Sequence, residues 1–291
     1  MSNRFLTSLL IFLTLSQVSA QDIPTLELEA YKRIDNPARN EVSGIVKSRA
    51  YENTFWIHGD SGTPDRIYAV NEDGDIISDD KDYRGAKVKG ARNLDWEDIA
   101  IGENGTLIIG DIGNNCECRD DLKIFILEEP NPKADEVEVL HEYKVSYPER
   151  GDWFGRLMRS NYNAEAIFQY EGVIYILTKQ QRKTLLFKLE NPVENEVNEL
   201  VLIDSMRTRQ YVTAADISPD GSQIAILTYD QLMVFKFDPK GFLNTEYKSA
   251  FLEGVEQIES IGFSEKNLII AEENGDLYKV TLDQLVLVEV D

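Results

Sequence analysis

The 291-residue sequence predicts an all-β fold: a β-propeller with five countable four-stranded blades, a sixth being left open by one long interval. Three observations predict it. A unit made of an acidic residue, an apolar strand, a tight turn and a second apolar strand recurs along the chain. The apolar runs have strand length, and helical periodicity is nowhere sustained. The copies are spaced near the roughly 40 to 50 residues of a propeller blade.

The clearest copy is Asp95-Trp96-Glu97-Asp98-Ile99-Ala100, followed by the turn Glu103-Asn104-Gly105 and the strand from Leu107 to Asp111. Taking the acid as the anchor aligns Glu41, Glu97, Glu165, Asp216 and Glu259, at intervals of 56, 68, 51 and 43 residues. Turns at 51–54, 103–105, 170–172, 218–222 and 264–267 carry the Gly, Asn, Asp and Pro residues that tight hairpins need. Second strands are expected at 55–57, 107–109, 173–177, 224–227 and 268–271. Third strands follow at 66–70, 122–127, 184–189, 232–237 and 276–280, and more polar fourth strands at 75–82, 137–147, 200–205, 247–252 and 284–290. An N-terminal strand over 25–34 is placed to pair with the last blade, which hides sheet edges that invite aggregation. The charged stretch 191–198 reads as a loop, and no Pro-, Gly- or Ser-rich linker divides residues 21–291, so one domain is expected.

Residues 1–20 read as a cleaved signal peptide. Arg4 is a small positive n-region, Leu6 to Leu15 an apolar h-region, and Val18-Ser19-Ala20 a small-residue cleavage site. Ten apolar positions are too few to span a bilayer, which needs about twenty. The expected location is periplasmic or secreted, as a monomer without a membrane span. Removing the leader, which holds Arg4 and no acid, takes the formal charge from −22 to −23. That field repels phosphate backbones and attracts cations, so nucleic acid is not an expected partner. Cys116 and Cys118, the two cysteines of the chain, stand as Cys-Glu-Cys. A local disulfide, free thiols and a two-thiolate metal site are the three readings, the last short of the four ligands zinc usually takes.

In a propeller the first strand of each blade lines the channel and the second runs back beside it. Starts of first strands and ends of second strands therefore share one mouth. This gathers Glu41, Glu97, Glu165, Asp216 and Glu259 as metal ligands. Crowded carboxylates raise one another's pKa, and a bound cation resolves the conflict. Ca²⁺ suits it, taking six to eight oxygens in flexible geometry. The competing reading has these acids capping strand starts and pairing with local arginines. Arg92, Asp111, Asn114, Arg159, Lys179 and Tyr229 would ring the same mouth as ligand-binding groups, with plain ion pairs as the rival role. His58 and Asp60 are the candidate catalytic pair, a base and its neighbour able to activate water, although His58 also suits a purely hydrogen-bonded support. Gly59-Asp60-Ser61-Gly62 matches the serine-protease nucleophile motif, but this scaffold supplies no triad. Asp73-Gly74-Asp75 and Asn274-Gly275-Asp276 lack EF-hand spacing and read as hairpin turns.

The motifs Glu41-Val-Ser-Gly-Ile45, His58-Gly-Asp-Ser-Gly62, Asp95-Trp-Glu-Asp-Ile99, Gly110-Asp-Ile-Gly-Asn114, Asn163-Ala-Glu-Ala166 and Thr213-Ala-Ala-Asp216 resemble the exported propellers grouped as SdiA-regulated and, more loosely, the phytase-like esterase propellers. The resemblance spans nearly the whole mature chain and implies a propeller with calcium in its channel. Gluconolactonase and paraoxonase propellers look similar in holding a carboxylate-bound metal there, but the paraoxonase histidine pair has no counterpart here. The leading expectation is an exported calcium-binding propeller that presents a channel-mouth pocket to a small ligand or peptide. A metal-assisted hydrolase of an ester, lactone or phosphoester is the second, and a non-catalytic protein-interaction module the third.

Overall fold

The computed structural model describes residues 23–148, 162–265 and 267–290. The leader and Arg159 lie outside them, so the roles expected of those residues have no structural account. Two short strands come first, β1 (Thr25–Glu27) and β2 (Lys32–Arg33). The first blade follows as β3 (Val42–Lys47), β4 (Phe55–Gly59), β5 (Arg66–Val70) and β6 (Ala86–Lys89). The second is β7 (Trp96–Ile101), β8 (Thr106–Asp111), β9 (Lys123–Glu128) and β10 (Glu136–Ser146). The third comprises β11 (Ala164–Tyr170), β12 (Val173–Thr178), β13 (Thr184–Leu189) and β15 (Val201–Met206), with the short β14 (Val197–Glu199) laid parallel on β10. The fourth is β16 (Val212–Ile217), β17 (Gln223–Thr228), β18 (Gln231–Lys236) and β19 (Tyr247–Glu253). The fifth has β20 (Ile258–Ser264), β21 (Asn267–Glu272) and β22 (Asp276–Thr281), completed by β2 from the chain's start.

The first strands pack against one another in a closed circuit, β3 on β7, β7 on β11, β11 on β16, β16 on β20 and β20 on β3. Among the described residues this closed circuit of first strands around one axis is the propeller architecture. Each sheet is apolar on both faces because each is sandwiched by neighbours, so its inner strands read as continuous apolar runs. Five separate cores result, one per interface. Trp56 and Trp96 anchor the one between the first two blades, Phe187 and Ile167 the next, Phe168 and Phe235 the third, Leu227 and Phe263 the fourth, and Ile57 and Ile269 the last. No helix among the described residues is long and apolar enough to cross a membrane.

Three fourth strands fall where the polar alternation places them, and two do not. In the first blade the outer strand is Ala86–Lys89 rather than 75–82, because Asn71 to Gly74 closes a tight turn and Asp80 to Tyr83 another before pairing resumes. The expected fifth-blade strand at 284–290 instead forms β23 (Val286–Val288) on the outer edge of β19, after a 3-10 turn at Leu282–Gln284. Its place is taken by β2, held by a bidentate Arg33–Asp276 ion pair. The single expected strand over 25–34 is thus two, and its first half lies parallel to β19 in the fourth blade.

Candidate metal centre at the channel mouth

Each first strand carries one extra residue at the same place in its pairing with the second. Val42 faces Gly59 and Gly44 faces His58, which leaves Ser43 unpaired. The same register shift isolates Glu97, Glu165, Thr213 and Glu259. A β-bulge re-aims the extra side chain. Here the five lie at one level of the channel, and three of them are glutamates.

This register corrects the acid-anchored alignment at two of five positions. Glu41 precedes the bulge by two residues, is exposed on the rim and has left-handed backbone (φ 51°). Asp216 lies three residues beyond the bulge of β16, towards the opposite mouth, where its Oδ2 accepts the Phe263 N–H of the next blade at 2.7 Å. Asp98 makes the equivalent staple from β7, accepting the Ile167 N–H at 2.9 Å. Ser43 and Thr213 occupy the ring level that Glu41 and Asp216 were expected to fill.

Around Glu97 the mouth is acidic. Asp60, Asp95 and Glu97 each offer a carboxylate oxygen, and these oxygens lie within 4.8 Å of one another. Burial pushes Asp60 up to about 6, and it also raises Asp95. Glu97 is buried and held well above the usual carboxylate range by desolvation, then by Glu165 and Asp60. Its side chain hydrogen-bonds Glu165, which is itself raised by burial against the pull of Lys179. Glu273, just after β21, is lifted to about 7 by burial and by Glu259, Glu41 and Asp60. Two buried oxygens at the bulge level have no hydrogen-bond partner among the described residues: Glu97 Oε1 and Thr213 Oγ1. A buried polar atom without a partner costs about 1–3 kcal/mol, a cost that a polar guest at this level would offset.

Lys179 compensates the other side. Its Nζ lies 3.2 Å from Glu165 and 3.7 Å from Glu259, over the Tyr229 ring. Burial works to lower its pKa, but the two glutamates outweigh it and hold Lys179 firmly charged. Tyr229 donates to Glu259 at 2.7 Å. Lys179 and Tyr229 are therefore at the mouth as expected, though both are engaged with the ring glutamates.

The remaining expected residues brace the site. Asp111 is fully buried, accepts the Asp95 N–H at 2.9 Å and pairs with Arg119 at 3.0 Å; burial lifts it to about 6 against the opposing Arg119 charge. Asn114 accepts the N–H groups of Cys118 and Arg119, and its own N–H donates to Asn163, which donates on to Glu165. Cys116 and Cys118 are joined as a disulfide, closing this bracing loop. Arg92 is exposed and serves the site through its carbonyl, which accepts the Trp96 indole N–H at 3.2 Å. His58 does not reach the mouth. It is wholly buried with its ring edge-on to Trp96 at 5.6 Å and its Nε2 against Gly44, and burial drives its pKa down to about 4. That ring is wall, not general base. Asp60 does stand at the mouth.

Asp95, Arg119 and Asn163 were not singled out as site residues by the sequence. Asp95 opens the very stretch that anchors the repeat and Asn163 the motif Asn163-Ala-Glu-Ala166, so their signals were present; Arg119 becomes visible only through its bracing contacts. Gly113 is the tightest point. A Cβ there would overlap the Glu97 oxygen and come within 2.5 Å of the Asp95 carboxylate. Gly113→Ala is accordingly expected to cost the fold about 1–3 kcal/mol, as overpacking does, and to weaken by tenfold or more a cation held by this cluster; melting and titration calorimetry separate the two effects.

No family model matches this chain, and no curated protein does. Among solved structures it is similar to a chain of the nidogen/laminin complex, at 11% identity and TM-score 0.45, covering 87% of this chain and 84% of that one. It is also similar to the PQQ-bound aldose sugar dehydrogenase of Streptomyces coelicolor, at 8% identity and TM-score 0.47 over 90% and 97% of the two chains. Glutaminyl cyclase of Myxococcus xanthus gives 7% identity and TM-score 0.47 over 93% and 100%. The fold assignment itself rests on the strand pairing above.

Proposed function

We propose that this chain is an exported, cation-binding propeller whose channel mouth holds Ca²⁺ and presents it to a small ligand or peptide. The observation that carries the reading is the Asp60, Asp95 and Glu97 cluster together with the buried, unpartnered Glu97 Oε1 at its base. The donors are all hard oxygens, which suits Ca²⁺. Ligands on opposite sides of a calcium ion, at 2.3–2.6 Å each, stand about 5 Å apart, the scale of the spacing in this cluster. Glu165 and Glu259 extend the field, Lys179 offsets part of it, and a divalent ion would offset more. The affinity belongs in the range of extracellular modules, about 10⁻⁴–10⁻³ M.

A hydrolase reading has less support. His58 is out of reach, Lys179 is engaged by two glutamates, and only carboxylates such as Asp60 and Asp95 are left to act as a base among the described residues. An anion would meet more negative than positive charge at this mouth. The resemblance to calcium-holding propellers agrees with the binding reading.

The test is a melt of chelated protein with Ca²⁺ added back. A hundredfold excess over the dissociation constant adds about 2.7 kcal/mol, roughly 5–10 °C in a chain of this size. Glu97→Gln is expected to lose that shift. A flat response in the unmutated protein, with no metal found by elemental analysis, overturns the reading.

A further inference from the structure

At the end of the channel opposite the acidic mouth, the tips of β3, β7, β16 and β20 enclose a cavity of about 250 Å³. A shallower hollow of about 170 Å³ adjoins it, and the two share Arg49, Ile101, Ile217 and Pro219. The walls are mainly apolar, with Phe263 and Ile217 facing Ile101 across the opening. Two charges matter within them. Asp216 is buried, uses Oδ2 on the Phe263 N–H, and is lifted to about 7 by burial. Arg49 is exposed at the rim, near enough to pull Asp216 back down, yet no ion pair joins the two among the described residues. The other cation of this wall, Lys47, is engaged by Ser264 Oγ at 3.2 Å. A buried anion and an exposed cation thus share the wall of one apolar hollow, close enough to interact but not joined as an ion pair among the described residues.

We propose that this opposite mouth binds a small zwitterion, an apolar α-amino acid, with its ammonium on Asp216, its carboxylate on Arg49 and its side chain against Ile101, Ile217 and Phe263. The volume lies below the roughly 300 Å³ at which pockets for drug-sized ligands begin, so the guest is small. A buried carboxylate is stabilised by a paired, hydrogen-bonded cation, which an ammonium supplies. Guanidinium offers a planar fork that matches a carboxylate. A simple fatty acid would meet Asp216 and Glu265, and a simple amine would meet Arg49; only a guest with both charges close together satisfies both walls. This site lies beyond the cation centre and does not depend on it.

The test is titration calorimetry of the full chain with L-leucine, leucinamide and N-acetyl-leucine. Leucine is expected to bind saturably, and each blocked analogue at least tenfold more weakly. Asp216→Asn, whose amide oxygen can still accept the Phe263 N–H, and Arg49→Met, at an exposed position, are each expected to weaken leucine at least tenfold. Glu97→Gln is expected to leave leucine binding unchanged. Leucinamide binding as tightly as leucine would mean a peptide N-terminus or plain amine site and would overturn the proposal. So would unchanged leucine affinity in folded Arg49→Met, or no binding by alanine, valine, leucine, isoleucine, methionine or phenylalanine at about 10 mM.

Discussion

Calcium-free protein is expected to melt higher at pH 5 than at pH 8, by on the order of 5 °C, and saturating Ca²⁺ is expected to erase or invert the difference. Asp60 and Asp111 are raised from 3.8 to about 6, Asp216 from 3.8 to about 7, and Glu273 from 4.5 to about 7. An acid whose folded pKa is raised contributes stability fully present below its unfolded value and lost as pH rises through the folded one. The window for these four is therefore about pH 4 to 7. His58 works in the opposite sense. Lowered from 6.5 to about 4, it contributes stability present above 6.5 that is lost as pH falls towards 4. It acts alone against four carboxyls, with Glu97 and Asp98 raised further still, so the acids decide the sign. Asp220, held at about 2 by Ser218 and Ser222, and Asp276, lowered by Arg33, lose their contribution only below this window. On the proposed calcium reading the ion needs the ionised carboxylates and so competes with protons, which is why it is expected to restore stability at pH 8 and little at pH 5. Differential scanning calorimetry across this range, with and without chelator, decides it. A chelated protein whose midpoint falls steadily from pH 8 to pH 5 would show that the mouth acids are not desolvated.

Trp96→Ala is expected to destabilise the fold by about 3–5 kcal/mol, lowering the midpoint by on the order of 10 °C. The side chain is fully buried between the first two blades, edge-on to His58 and tilted on Phe125 at 6.5 Å. Truncation removes that packing and strands the Arg92 carbonyl that accepts its indole N–H. It also loosens the backbone between Asp95 and Glu97, so calcium affinity should fall with stability. Urea titration of Trp96→Ala beside Trp96→Phe measures the cavity contribution, Phe recovering part of the loss. A cost under about 1 kcal/mol would mean that the blade interface relaxes around the gap.

The propeller was legible because its signal is repeated and physical. Runs such as Leu107 to Ile109 and Ile224 to Leu227 are apolar on both faces, and turns such as Glu103-Asn104-Gly105 adopt the left-handed backbone their residues favour, with Asn104 at φ 56° and Gly105 at φ 74°. Glu97, Glu165 and Glu259 were also legible, since a carboxylate at a strand start is conspicuous. Glu41 and Asp216 were misplaced because the alignment followed side-chain charge, whereas the level of the ring is set by a backbone bulge that Ser43 and Thr213 fill without charge. The position of Val286–Val288 on the fourth blade was hidden for a similar reason. A strand's composition says that it pairs, and the closing of the ring decides with what.

That closing carries its own consequence for how the molecule is made. Arg33 and Asp276 meet from 243 positions apart, in the blade whose four-stranded meander is completed by a strand from the chain's start. Four blades can assemble from contiguous sequence as it emerges. The fifth cannot, since its outermost strand is among the earliest residues made and its other three among the last. Until β20 to β22 exist, the flank of the first blade that houses Ile57 and Tyr68 faces water, and Lys32 and Arg33 have nothing to pair with. Loop-closure entropy over so long a span must be overcome in that single step. The seam is thus where the ring's cooperativity resides: a nearly finished chain is an open arc with two raw ends, and only the complete one is a circle.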